Sequence, residues 1–340
     1  MTELQSEFAP STEELKTAEA RLPVELIGLQ EEFFRRLGSM GRSRNTLKNY
    51  RTDLDCFNHY LRETQKRMDI SHFGQSEILE YGSYLQVKYT SDNSRRRRVQ
   101  ALRIFFDYLV EKSLFPSNPV RKLTTSPKFL DIPRPTPLVD VKTLWNYLLN
   151  EAKNSSDMSK LLAYRNLVTL LLIYGGGLKV SDLTNLKTEH ITLTMPPRVM
   201  VLADRRDPYS VELPNVFTSV FSDYRKLLEE MKSKSQMEFD HLLFNANPYR
   251  ILSGGLSARG LEIIFEEFRK KLIITLTPKS LRQACIFKWI HQGKNDALIK
   301  EWMGVAPSYG MKLYKEHADK HLYSEDFLEE MYSEILGARN

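Results

Sequence analysis

Apolar residues recur at helical spacing through the first third of the chain. The clearest run has five residues at intervals of three and four: Leu47, Tyr50, Leu54, Phe57 and Leu61. This period places them on one face of an amphipathic helix, with Ser43 or Asn45 as a candidate N-cap. Further helices are predicted over 25–37, over 77–89 after a cap at Ser76, and from Ser94 to about Ser113. The pattern predicts a four-helix domain over 23–125, after a polar tail at 1–22 that we expect to be disordered.

Prolines separate this helical segment from a second, mixed pattern. Residues 126–137 contain four prolines, which remove backbone donors and block helix, so an extended linker is predicted. The predicted elements beyond it are helices over 141–152 and 161–174, a short helix capped by Ser181, strands near 190–194, 198–203 and 209–213, and mostly helix from Asn215 with loops near 233–240 and 245–256. Asp207-Pro208 is a turn signal. The predicted fold class is mainly α with a small antiparallel β-sheet.

The C-terminal residues 323–340 predict one more amphipathic helix. Ser324 is its candidate cap, and Phe327, Met331 and Ile335 fall on one face. This face can dock onto a neighbouring subunit or pack on its own domain, and the sequence leaves both open.

Charge is unevenly distributed along the 340 residues. The formal net charge is +6, but residues 20–125 alone hold 19 Lys and Arg against 12 Asp and Glu, whereas residues 1–20 and 321–340 are acidic. A basic central segment between acidic ends is typical of a protein that binds a polyanion, although charged residues that only face solvent would give the same composition. With two cysteines, no membrane span and no signal peptide, we expect a cytoplasmic protein with reduced thiols and neither metal nor cofactor.

The run Thr277-Pro278-Lys279-Ser280-Leu281-Arg282 is followed 32 residues after its arginine by Tyr314. Gly304 stands ten residues before that tyrosine. This arrangement resembles the second signature box of the tyrosine recombinases (the Cre, Xer and phage-integrase family), written T-P-H-x-L-R-H, then L-G-H, then Y.

Three other segments carry the same resemblance. Residues 177–186 (GLKVSDLTNL) are similar to the first catalytic box, G-L-R-x-S-E-L-x-x-L, in which Asp182 matches the acidic position. Residues 43–61 and 94–119 are similar to the first and last helices of the family's core-binding domain. The resemblance covers about residues 25–320. It implies a helical DNA-binding domain at 23–125 and a catalytic domain at 138–322, closing as a C-shaped clamp around duplex DNA.

The resemblance also implies roles for individual residues. In this family a tyrosine hydroxyl attacks a DNA phosphate, two arginines hold its oxygens, a hairpin lysine protonates the leaving oxygen, and histidines assist. Tyr314 matches the nucleophile and Arg282 the second arginine. The other four positions are substituted: Lys179 for the first arginine, Lys279 and Val305 for the histidines, and Asp204 for the hairpin lysine. Trp302 or His317 could replace the second histidine, and Arg205 or Arg206 could supply charge beside Asp204.

These substitutions lead to the functional prediction. Lysine keeps the charge of arginine but loses its bidentate geometry, and valine offers no hydrogen bond at all. We expect a DNA-binding member of the family with weak or lost strand cleavage. An active recombinase that uses the altered cations and a helical interaction module without a DNA role remain the alternatives.

Basic residues of the first domain are the candidate DNA contacts. Arg95, Arg96 and Arg98 belong to a run of four consecutive arginines. Consecutive residues of a helix point in different directions, so only some of these side chains can face one groove of the DNA. Arg42, Arg44 and Lys48 flank the helix of residues 47–61, and Arg205 and Arg206 lie on the predicted hairpin.

A DNA-bound tetramer, of this chain alone or with a related recombinase, would be held together through the C-terminal helix.

Overall fold

The computed structural model describes residues 26–65, 68, 70, 73–125, 132–203, 206–247 and 251–337. The predicted tail at 1–22, the first half of the predicted linker, and Asp204 and Arg205 lie outside these residues. The chain divides into two compact units, Met1–Leu130 and Asp131–Asn340. Among the described helices, none combines the length and the apolar character needed to cross a membrane.

The described part of the first unit is helical. Its α-helices are α1 (Leu26–Ser39), α2 (Arg44–Tyr60), α3 (Gln75–Lys88) and α4 (Asp92–Glu111). A π-helical turn (Leu61–Gln65) continues α2. The apolar face predicted on α2 is largely buried: Leu54, Phe57 and Leu61 lie in the core, while Leu47 and Tyr50 pack at its edge.

The helix starts in this unit follow hydrogen bonds that periodicity does not reveal. Ser43, not Asn45, caps α2, since its hydroxyl accepts a 3.1 Å hydrogen bond from the Thr46 N–H. The starts predicted at Ser76 and Ser94 were wrong by about two residues. Gly74 caps α3, where its N–H donates to the Glu77 carboxylate at 2.9 Å, and Ser91 caps α4.

The second unit is mixed, as predicted. Its elements are α5 (Leu138–Asn154), α6 (Asp157–Leu170), α7 (Val180–Leu183), β1 (Ile191–Thr192), β2 (Arg198–Ala203), β3 (Arg206–Glu212), α8 (Val216–Ser235), β4 (Phe244–Ala246), β5 (Leu252–Gly254), α9 (Ala258–Leu272), α10 (Pro278–His291), α11 (Asp296–Trp302), α12 (Lys312–Glu316) and α13 (Asp326–Ile335). Strands β1, β2 and β3 form one antiparallel sheet in that order, and β4 pairs with β5. The core is rich in buried aromatic side chains, among them Trp145 and Trp289.

Two local predictions in this unit were wrong. Asp207 and Pro208 lie within β3 instead of forming a turn, because β3 is at the sheet edge, where proline is tolerated. The loop predicted over 245–256 contains a short hairpin, whose three-residue strands are too short to show an alternating pattern.

The described half of the proline-rich segment, residues 132–137, packs onto α10. The Thr136 N–H donates to the Ser280 carbonyl at 3.0 Å, and the Arg134 N–H donates to Oε1 of Gln283 at 3.0 Å. The Tyr323 hydroxyl donates to the Thr136 carbonyl at 2.6 Å. These residues therefore belong to the second unit, which begins ahead of the predicted boundary at 138.

The C-terminal helix α13 packs on its own unit. Phe327 and Leu328 are buried, and Nε1 of Trp145, on α5, donates to the Leu328 carbonyl at 3.2 Å. Glu325, not Ser324, occupies its N-cap position. At least part of the apolar face predicted for this helix therefore packs against the helix's own unit.

Both cysteines are free and buried, Cys56 in the first unit and Cys285 in the second. Burial raises the pKa of Cys285 to about 12, which disfavours the reactive thiolate.

Candidate active site

One cleft in the second unit, with a volume of about 390 Å³, gathers residues from distant parts of the sequence. Its wall contains all five of the described candidate catalytic positions: Lys179, Lys279, Arg282, Val305 and Tyr314. They come from the start of α7, from α10, from the loop after α11 and from α12. The two signature boxes of the sequence therefore meet in one place.

The start of α10 positions two of the cationic side chains, Lys279 and Arg282. Thr277 caps the helix, because its hydroxyl accepts a 3.0 Å hydrogen bond from the Ser280 N–H, and Pro278 occupies the first turn, where its missing N–H costs nothing. Lys279 and Arg282 are three residues apart, so they lie on the same face of the helix. Lys279 is exposed and Arg282 is half-buried.

Two backbone carbonyls hold the guanidinium of Arg282. Its Nε donates to the Gly177 carbonyl at 2.6 Å, and its Nη2 donates to the Met303 carbonyl. Gly177 has φ +63°, and a Cβ there would come within 2.4 Å of the Trp289 ring, so only glycine suits this turn. These two bonds fix the Arg282 side chain before any ligand binds. They do not use the remaining N–H groups of the guanidinium.

Lys179 lies at the N-cap of α7. Its backbone N–H donates to the Asp182 carboxylate at 2.9 Å, which explains the acidic residue of the first box and makes the predicted cap at Ser181 wrong. Its ammonium group donates to the Gly304 carbonyl at 3.1 Å. Lys179 thus bridges the first box to the loop that precedes Tyr314.

Tyr314 is on the short helix α12, with a side chain only 7% exposed. Its ring packs on Phe287, with ring centroids 5.4 Å apart, and Phe287 also contacts His321 at 5.0 Å. Burial, with further help from nearby His317 and Lys320, lowers the pKa of His321. The phenol therefore borders the cleft from within a packed aromatic cluster.

Neither of the side chains considered as a substitute for the second histidine enters the cleft. Val305 lines the wall and has no polar atom on its side chain. Trp302 packs on Trp289, with ring centroids 5.1 Å apart, and His317 is bonded to the Leu313 carbonyl at 2.9 Å. Neither Trp302 nor His317 is among the residues that line this cleft.

The predicted hairpin is present, but its tip is not described. Arg206 begins β3 and pairs with Ala203 of β2, after an irregularity in register. Asp204 and Arg205 lie outside the described residues, as does the side chain of Arg206. Their roles remain predictions.

The candidate DNA contacts of the first unit divide into exposed and engaged groups. Arg42, Arg44 and Lys48 are exposed around the start of α2. Arg95 donates to the Tyr89 carbonyl at 2.7 Å and pairs with an acidic neighbour, and Arg96 donates to the Asn93 side chain.

Arg98 is unsuited to the role predicted for it. It is only 9% exposed and stacks 3.7 Å above the ring of Tyr89, because the helical fan turns this member of the run inward. Arg97, which was not among the candidates, is exposed but bonded to the buried carboxylate of Asp53 at 2.9 Å. Burial raises the pKa of Asp53, against the opposing effect of Arg97.

Sequence reasoning missed Tyr309, which also lines the cleft. The available signal was an aromatic residue in a polar Pro/Gly loop, Pro307 to Gly310, between the two matched positions Gly304 and Tyr314.

Comparisons with known proteins find similar sequences over most of the chain. Residues 31–113 match the family model of the phage integrase N-terminal SAM-like domain. The tyrosine recombinase XerC of Staphylococcus saprophyticus is 25% identical over 264 residues, 77% of this chain and 83% of the relative. The tyrosine recombinase XerD of Listeria monocytogenes is 24% identical over 276 residues, 81% of this chain and 88% of the relative.

The fold has solved counterparts as well. A lambda integrase dimer bound to a COC′ core site has a TM-score of 0.62 and 15% identity, covering 92% of this chain and 82% of the integrase chain. The matching family domain in the first unit and the recombinase relatives along most of the chain's length together support a member of the tyrosine recombinase family.

Proposed function

We propose that this chain binds duplex DNA and that its strand cleavage is weak or lost. The observation that carries the proposal is the composition of the cleft. It keeps the tyrosine and one arginine of the family pattern, but it has Lys179 where an arginine is expected and Val305 where a histidine is expected. The site thus retains features that bind a phosphate and lacks features that help a strand to break.

The cations support phosphate binding. Lys179, Lys279 and Arg282 share one wall, and Arg282 is already held in place by two carbonyls. A preorganised guanidinium binds phosphate oxygens with little further loss of freedom. We expect these three side chains to hold a single phosphate of the DNA backbone.

Cleavage would demand more of the site. The Tyr314 oxygen would attack phosphorus and lose its proton, the phosphorus would keep a 3′ link to the tyrosine, and the 5′ oxygen would leave and take up a proton. Asp204 stands where the family has a lysine to supply that proton, and an arginine such as Arg205 holds its own proton too tightly to replace it. The departing oxygen would leave unassisted.

The expected cost is large. Loss of one transition-state hydrogen-bond donor slows a reaction by about a hundredfold to a thousandfold. Loss of a general acid costs a further factor of roughly a hundred to ten thousand. Such losses do not multiply simply, but together they support very slow cleavage.

The first unit supplies further candidate contacts. Arg42, Arg44 and Lys48 are exposed together near one helix start, and Arg95 and Arg96 keep part of their surface. Phosphate contacts of this kind give binding that is largely independent of sequence and sensitive to salt. The similar lambda integrase structure is of a dimer bound to a COC′ core site, and another structure of lambda integrase is bound to DNA. These neighbours support a DNA-bound assembly, formed by this chain alone or by this chain with a related recombinase.

An active recombinase is the second candidate. It is favoured by the two lysines in the cleft, which conserve positive charge at two substituted positions. In that case the ammonium groups would neutralise the phosphate and one of them would serve as proton donor.

A nicked DNA substrate separates these possibilities. Duplexes bound by the full chain are selected from a random-sequence library, and a nick near the bound centre traps any covalent intermediate. We expect salt-sensitive binding and at most a trace of denaturant-resistant adduct. Rapid, nearly complete adduct formation that is lost in Tyr314→Phe would establish the active recombinase instead. Absence of DNA binding would leave the helical interaction module.

A further inference from the structure

The cleft contains a second phenol, which the family resemblance does not assign. Tyr309 lines the same wall as Arg282 and Val305. Its side chain is 39% exposed, whereas that of Tyr314 is 7% exposed. A ligand entering from solvent would therefore find Tyr309 more accessible than Tyr314.

The loop that carries Tyr309 is fixed by hydrogen bonds. The Tyr309 N–H donates to the Ala306 carbonyl at 2.9 Å, which closes a four-residue turn with Pro307 at its favoured second position. The ammonium group of Lys300, on α11, donates to the Pro307 carbonyl at 2.8 Å. The backbone at Tyr309 is thus held in place before binding, so little ordering of the loop would be needed to use this residue.

The hydroxyl of Tyr309 has no hydrogen-bond partner within the described part of the chain. A phenol can donate one hydrogen bond, whereas the neighbouring Val305 can donate none. The wall therefore contains Val305, which has no hydrogen-bond donor on its side chain, and Tyr309, four residues later, whose hydroxyl is available to donate.

We infer that Tyr309 donates its hydroxyl hydrogen bond to a non-bridging oxygen of the DNA phosphate in the cleft, in place of a side chain at position 305. This inference rests on the proposed function, because it requires a phosphate between Arg282 and Lys279. Tyr309 is distinct from Tyr314, whose proposed place is opposite the departing oxygen. A hydrogen bond to a charged acceptor of this kind changes affinity by about tenfold to a hundredfold.

The test uses the full chain and a selected duplex in which methylphosphonate, which lacks one charged oxygen, replaces one phosphate at a time. The phosphate in the cleft is identified as the position where this replacement weakens binding by wild type clearly more than binding by Lys279→Ala, which keeps the contacts of Arg282 and Lys179 to that phosphate. If no position behaves in this way, the proposed function fails, and the inference fails with it.

Once that phosphate is known, Tyr309→Phe is compared with wild type on both duplexes. We expect the variant to bind the unmodified duplex about tenfold or more weakly and to lose little on the methylphosphonate duplex. Equal loss on both duplexes, or no loss on either, would overturn the inference and leave the proposed function standing.

Two further variants complete the design. Tyr147→Phe removes a hydroxyl that pairs with Lys271 away from the cleft, and it should bind like wild type. In a Val305→His background, the cost of Tyr309→Phe should shrink, because the histidine supplies a donor. An undiminished cost there would contradict the claim that Tyr309 acts in place of position 305. Thermal unfolding of each variant confirms that its fold is intact.

Discussion

Arg282 donates a 2.6 Å hydrogen bond from Nε to the backbone carbonyl of Gly177, 105 residues earlier in the chain. This bond joins the two sequence boxes that the family resemblance identifies separately. A second bond runs to the Met303 carbonyl, in the loop that leads to Tyr314. The proposed phosphate clamp is therefore also a structural connection between three segments of the site.

Arg282→Ala should for this reason reduce both stability and DNA binding. Two carbonyl groups would lose a charged donor, and we expect a loss of roughly 2 kcal/mol in the free energy of unfolding. DNA affinity should fall modestly, because Lys179 and Lys279 remain. Urea unfolding and binding titrations measure the two effects.

Arg259→Ala provides the matched control for this change. Its side chain is 73% exposed and pairs with Glu262 on the same helix, so its removal should change stability by less than about 0.5 kcal/mol. Equal stability of the two variants would mean that water replaces the Arg282 bonds without cost.

The sequence predicted most of the fold and five of the residues that line the cleft, for identifiable reasons. Helix α2 was predictable because Leu54, Phe57 and Leu61 repeat with the helical period and are buried. Arg282 and Tyr314 were predictable from spacing within a family motif.

What the sequence could not provide were contacts between distant residues. Periodicity does not reveal that Arg98 turns inward onto Tyr89, since both burial and exposure suit a member of an arginine run. Nor does it reveal that residues 132–137 are bonded to α10, because proline content predicts an extended chain but not what it packs against.

An ion pair between a buried lysine and a partly exposed glutamate attaches the start of α13 to the core. Lys288, whose side chain is 1% exposed, pairs with Glu325 and donates to the Gly175 carbonyl at 3.0 Å. Glu325→Gln would leave the buried ammonium without its counter-ion, so we expect a loss of roughly 3 kcal/mol in unfolding free energy. The exposed Glu329→Gln is the control and should lose less than about 1 kcal/mol. Similar small losses in both variants would argue against this role for the pair.

Salt titration tests the exposed cations of the first unit. Arg44→Gln and Lys48→Gln should each weaken DNA binding at every sequence and reduce the slope of log affinity against log salt by about 1. Lys234→Gln, in the second unit beside Asp157, should leave the slope unchanged. Unchanged slopes in all three variants would remove Arg44 and Lys48 from the DNA interface.

Stability should depend on pH through His321. Its folded-state pKa lies below the ordinary 6.5, chiefly because of burial. The unfolded chain therefore takes up this proton first as pH falls, so the stability contribution is complete above about 6.5 and is lost towards the folded pKa. His321→Phe keeps a ring against Phe287 without titrating, and urea unfolding across this range should show a shallower pH dependence. The same slope as wild type would exclude His321 as the cause.

Restoring one position alone should not restore cleavage. Lys179→Arg supplies a planar fork, but Val305 still offers no donor and Asp204 still offers no proton. We expect no detectable adduct on a nicked duplex. Abundant adduct from this single change would mean that the first arginine position alone limits the reaction.

The central claim is that the cleft can take a phosphate but lacks the groups needed to break the strand. The most direct measurement is the amount of phosphotyrosyl adduct formed on a nicked, selected duplex by wild type and by a variant with four changes, Lys179→Arg, Lys279→His, Asp204→Lys and Val305→His. We predict little or no adduct from wild type, and adduct from the variant that disappears when Tyr314→Phe is added. A wild-type chain that already forms adduct as fast as the variant would contradict the account.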